Sequence, residues 1–96
     1  MKKFQLPEQS KPTEELIDRL SVMDTEKLVE EILKYKELRE KNNIAIKNVC
    51  FRSRLHPTWL YRLEGLSMIP TVKSTSMYVQ AVTDCITDKG NESKQS

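Results

Sequence analysis

Leu28, Ile32, Tyr35 and Leu38 or Arg39 recur at steps of three and four along residues 28–39. That spacing puts them on one side of a helix and marks one buried stripe. Helical patterns of this kind fill the chain between its two ends, and hairpin signals are almost absent. A chain of 96 residues patterned in this way must bury helix against helix. At this length it has room for one domain of about 60–75 packed residues plus tails. The expected fold class is all-α.

Capping residues divide the pattern. Pro12-Thr13-Glu14-Glu15 opens a helix, with Thr13 as cap and two carboxylates at the positive end of the helix dipole. Leu16, Ile17 and Leu20 continue it to about Val22, and their spacing predicts that they bury themselves on the domain or across a dimer. Asp24 caps a second, longer helix that ends at Asn42-Asn43, with Asn43 the better left-handed terminal residue. A short helix over about 46–53 follows. Pro57 then stands where a missing N–H does no harm, at the first position of another helix that Gly65 and Pro70 close. Val72, Val79, Val82 and Ile86 fit a last helical stripe. Residues 1–12 are expected to be a flexible tail, 13–23 an accessory helix, 24–87 the main domain and 88–96 a disordered tail without apolar residues.

Charge is unevenly spread. Residues 1–33 carry a net −3, residues 34–62 a net +6 and residues 63–96 a net −1. A basic middle between acidic ends points to a polyanion, although a solvated helix face has the same composition. The composition, 38% hydrophobic and 31% charged, is that of a globular but polar chain. No apolar run approaches a membrane span, and the opening Met-Lys-Lys-Phe lacks the apolar stretch of a signal peptide. The expected location is cytoplasmic. Cys50, Cys85 and the single His56 make neither a disulfide framework nor a zinc site, so no metal or cofactor is expected. Without a glycine-rich phosphate loop, paired histidines or a nucleophile beside a base, the chain does not read as an enzyme.

Two helices of about eight residues around a tight turn, the second opening with proline, describe a helix-turn-helix. The runs Leu38-Arg39-Glu40-Lys41-Asn42-Asn43-Ile44-Ala45-Ile46-Lys47-Asn48-Val49-Cys50 and Arg54-Leu55-His56-Pro57-Thr58-Trp59-Leu60-Tyr61-Arg62-Leu63-Glu64-Gly65, followed by Pro70-Thr71-Val72, resemble the lambda-repressor/Cro-like (XRE-like) DNA-binding family. The likeness spans about residues 28–84 and implies a compact five-helix bundle with an extra N-terminal helix. It implies a buried ion pair between Arg39 and Glu64, and a small core residue at Cys50. The helix 57–64 would enter the major groove. Base-reading positions fall on Pro57, Thr58 and Arg62, with Arg62 matched to guanine or, failing that, to phosphate. Phosphate-contact positions fall on Lys47, Arg52, Arg54 and His56, the last also capping the helix. Trp59 and Tyr61 either stack on sugar–phosphate or pack against the loop 65–70. Two departures stand out. Arg54 occupies a turn position that favours glycine, and Gly65 comes one residue early, so the following loop should differ.

The function this implies is sequence-specific binding of double-stranded DNA by a transcriptional regulator, most simply a nucleoid-associated, homodimeric repressor on a palindromic site. Two rivals remain open. One is a protein–protein interaction module on the same scaffold, with Trp59 and Tyr61 as anchors or the acidic N-terminal helix as the contact. The other is an accessory DNA-binding factor of a plasmid, phage or transposon.

Overall fold

Local hydrogen bonds at the helix ends set the architecture. The computed structural model describes residues 8–95, with side chains through Gly90, and its helices are α1 (Glu14–Ser21), α2 (Thr25–Lys41), α3 (Ile46–Ser53), α4 (Pro57–Glu64) and α5 (Val72–Gln95). Thr13 Oγ1 accepts from the Leu16 N–H at 3.1 Å, and Asp24 Oδ1 accepts from the Lys27 N–H at 2.9 Å. Both caps stand where the sequence places them. α5 opens on a reciprocal pair: the Ser74 N–H donates to Thr71 Oγ1 at 3.1 Å, and the Thr71 N–H donates to Ser74 Oγ at 2.9 Å. Each such cap satisfies backbone donors that a helix leaves open.

The exits of α2 and α4 follow one pattern. After α2 the chain turns left-handed at Asn43, with φ 57°, and the Ile44 N–H returns to the Arg39 carbonyl at 3.0 Å. After α4 the left-handed residue is Leu66, with φ 60°, and the Ser67 N–H returns to the Arg62 carbonyl at 2.8 Å. Gly65 has an ordinary φ of −84°. What Gly65 supplies is space, since a Cβ there would stand 3.1 Å from the Tyr61 carbonyl oxygen. The early glycine therefore shifts the strained position onto a leucine.

α5 is the spine against which α1, α2 and α3 pack. The core joins Ile32, Ile44, Val49, Leu60, Leu63, Tyr78, Val82 and the two cysteines, and Leu55 and Ile86 lie partly buried against it. Leu20 and Leu28 are buried as well. Full burial of a leucine such as Leu20 contributes roughly 1.5–3 kcal/mol, so α1 is held by more than its propensity. Arg19 adds an ion pair from α1 to Glu31 on α2 at 2.6 Å. The expectation of three buried residues on α1 is met in part. Leu16 is half-buried, and Ile17 remains 38% exposed because it faces a groove described below.

Both tails need correction. Of the tail expected at 1–12, residues 1–7 lie outside the described residues. Residues 8–10, however, are hydrogen-bonded to the domain. The Ser10 N–H donates to the Arg52 carbonyl at 2.6 Å, and the buried Ser10 Oγ donates to Asp84 at 2.6 Å. The tail expected at 88–96 is helical through Gln95, and Ser96 lies outside the described residues. The reason is electrostatic, not apolar. Arg52 grips Asp88 with two hydrogen bonds of 3.0 and 2.9 Å, and Lys89 donates to the Asn42 carbonyl at 2.5 Å. Among the described residues no helix is long and apolar enough to cross a membrane.

Candidate nucleic-acid interface

α3 and α4 are joined by Arg54-Leu55-His56. Ser53 shapes the exit of α3: its hydroxyl donates to the Val49 carbonyl at 2.7 Å and accepts from the Leu55 N–H at 3.2 Å. Arg54 is left-handed, with φ 62°, as its position in the turn predicts, and its N–H donates to the Cys50 carbonyl at 2.8 Å. Its guanidinium donates to the Phe51 carbonyl. His56 then caps α4, Nδ1 accepting from the Thr58 N–H at 3.1 Å, and Pro57 fills the first helical position.

α4 is held by one side only. Leu60 and Leu63 are fully buried, and Glu64 is buried beside them. Pro57, Thr58, Tyr61 and Arg62 are exposed, and their spacing sets them on a common outer face. Lys47, Arg54 and His56 are exposed around the turn. Trp59 departs from this group. It is half-buried and packs against the hydrophobic core, which is the packing alternative of its two expected roles. Tyr61, at 59% exposure, stays available.

The buried end of α4 is tied down by a polar triad. Arg39 Nε donates to Glu64 Oε2 at 2.7 Å and its Nη2 to Glu64 Oε1 at 3.0 Å, a two-pronged pair. Arg39 Nη1 also donates to the Ile44 carbonyl at 2.8 Å, which locks the exit of α2 to the same group. Tyr78 on α5 donates its hydroxyl to Glu64 Oε2 at 2.5 Å. Burial works against the Arg39 charge, but the hydrogen bond and attraction from Glu64 outweigh it and raise the guanidinium above its usual range. Burial, and then the Glu64 carboxylate it donates to, push the Tyr78 phenol far up, so it stays a neutral donor. The sequence points to Arg39 and Glu64 through the family likeness. Tyr78 was not singled out, and only its place beside Val79 and Val82 on a helical stripe hinted at burial.

Arg52, expected on phosphate, is instead folded back, its side chain only 16% exposed. Besides Asp88 it donates Nη1 to the Glu8 carbonyl at 2.6 Å, so its donors are spent inside the protein. Asp84, Asp88 and Ser10 complete that cluster, and Gln80 donates to Asp84 at 3.1 Å. Arg52 and Asp88 are 36 residues apart and carry no periodicity that would connect them.

The chemistry left on the α3–α4 surface is cationic. Lys47, Arg54 and Arg62 are exposed there, and the one carboxylate of the two helices, Glu64, is buried in its triad. Cys50 and Cys85 are free and buried, and burial raises both thiols, Cys85 to about 11. They are core residues and not nucleophiles. Among the described residues no group of three or more His, Cys, Asp and Glu side chains is placed to hold a metal ion. No protein-family model matches the chain, and comparisons with curated proteins and with solved structures return no match.

Proposed function

We propose that the chain binds double-stranded DNA, with α4 in the major groove, as a sequence-specific transcriptional regulator that acts by occupying its site. The observation that carries this reading is the one-sided mounting of α4. Its inner face is fixed by Leu60, Leu63 and the Glu64 triad, while Thr58, Tyr61 and Arg62 project from an outer face without a free carboxylate. Such a surface suits a polyanion carrying base-edge acceptors. Arg62 reads guanine, Thr58 and Pro57 meet a neighbouring base, and Lys47, Arg54 and His56 hold phosphates. Few such contacts are made by one domain, so the reading includes a homodimer on a palindromic site, repression as the outcome and the nucleoid as the location.

Fluorescence anisotropy with genomic duplex fragments is the test. Tight binding to a subset, with weaker salt-sensitive binding to the rest, is the expected result. A second reading is favoured by one observation: Tyr61, Leu66 and Ile69 are 59%, 40% and 76% exposed at and just after α4, an apolar edge that suits a protein partner. Absence of any salt-dependent affinity for duplex DNA would transfer the assignment to that reading.

A further inference from the structure

Away from α3 and α4, the N-terminal segment and α1 meet the first turns of α5 around an open groove of about 510 Å³. Its walls are apolar. Pro12 and Ile17 come from the N-terminal side, and Val72 and Met77 from α5. Lys11 and Lys73 stand at the groove from opposite walls, both exposed. Neither lysine has a carboxylate partner among the ion pairs of the described residues. Ile17, expected inside, is left open to solvent here although α1 has an inner face that buries Leu20.

The walls are fixed rather than loose. The Ser10 N–H and hydroxyl fasten the N-terminal wall to Arg52 and Asp84. The Thr71–Ser74 box fixes the opposite wall at the start of α5. A concave, apolar, preformed space of this volume, with a few convergent polar groups, has the size and character of a small-molecule site. Two lysines facing it from either side select the charge of the occupant.

We infer that this groove binds a small amphipathic carboxylate, an aliphatic or aromatic body lying on Pro12, Ile17, Val72 and Met77 with its carboxylate between Lys11 and Lys73. Such a ligand braces the N-terminal segment and α1 against α5. The site is separate from the α4 surface and does not depend on the DNA reading.

Decanoate, below its micellar concentration, is the probe, with decanol and decyltrimethylammonium as matched neutral and cationic controls. Titration of the isotope-labelled full chain is followed by amide and methyl shifts. The expected result is saturable binding of decanoate that moves Ile17, Val72 and Met77, about five- to tenfold tighter than decanol, the preference two exposed lysine–carboxylate contacts supply. Lys11→Glu with Lys73→Glu should abolish that preference and favour the cation while the fold is kept. Ile17→Arg should weaken all three probes. No saturable binding, shifts centred elsewhere, or equal binding of decanoate and decanol would overturn the inference. Binding that emerges only after deletion of residues 1–7 would also overturn it, by assigning the groove to the chain's own N-terminus.

Discussion

Among the described residues three without glycine's freedom stand in the left-handed region, and they are not equivalent. Asn43 tolerates it through its short polar side chain, whereas Arg54 and Leu66 carry the Cβ penalty. Leu66→Gly should therefore stabilise the protein by about 1 kcal/mol, and Arg54→Gly by up to about 1 kcal/mol, less what its hydrogen bond to Phe51 contributes. Asn43→Gly should gain least. Urea midpoints rank the three, and a loss of stability in Leu66→Gly would show that the side chain matters more than the strain. Cys85 gives a prediction in pH. Its thiol ionises near 9.0 when unfolded but only at about 11 in the folded protein, where burial disfavours the thiolate. The unfolded chain thus holds fewer protons between those values. The contribution is complete below pH 9 and declines as pH rises through the folded value, by about 2–3 kcal/mol in all. Thermal melts across pH 8–11 should fall less steeply in Cys85→Ala than in the wild type, whatever the offset at pH 8.

At the level of the helices, polar contacts decide what apolar stripes leave open. Glu64 joins α2, α4 and α5 through Arg39 and Tyr78. Glu64→Ala strands a largely buried guanidinium and a buried phenol and should cost about 3–5 kcal/mol in chemical denaturation. Glu64→Gln, which keeps hydrogen-bonding capacity, should cost less. The Arg52–Asp88 pair is partly solvated, so Asp88→Asn should cost only about 0.5–1 kcal/mol globally. Its main effect should be local, as faster amide exchange over 84–95 and around Ser10. Unchanged exchange there would mean that the last turns of α5 hold themselves. These contacts also explain which elements could be read from sequence. The starts of α1, α2 and α4 and the end of α2 are set by Thr13, Asp24, Pro57 and Asn43, residues whose local preferences act within one turn. The end of α5 and the docking of Ser10 were missed because Arg52, Asp84, Asp88 and the Glu8 carbonyl meet only after folding.

For the whole molecule, the segment from Ser10 through α1 is part of the domain rather than an appendage. Leu20 is fully buried, Arg19 pairs with Glu31, and Ser10 reaches both α3 and α5. The candidate surface was legible in part. Pro57, Thr58, Tyr61 and Arg62 fall on one exposed face, as periodicity on a helix beginning at Pro57 requires. For Trp59 the sequence leaves stacking and packing open, because a position between two faces is decided by which neighbour comes close. Arg52 was not legible, because its partners lie far along the chain. The proposed function gives Arg62 on α4 and Lys47 on α3 separable roles, and one measurement addresses them directly: the salt dependence of affinity for a preferred and a random duplex, in the wild type, Arg62→Ala and Lys47→Ala. Arg62→Ala should lose about 1–3 kcal/mol on the preferred duplex and little on the random one. Lys47→Ala should weaken both alike and flatten the log–log salt slope by about one unit. Equal effects of the two substitutions on both duplexes would contradict base reading by α4, and a wild type whose affinity ignores salt would contradict DNA binding itself.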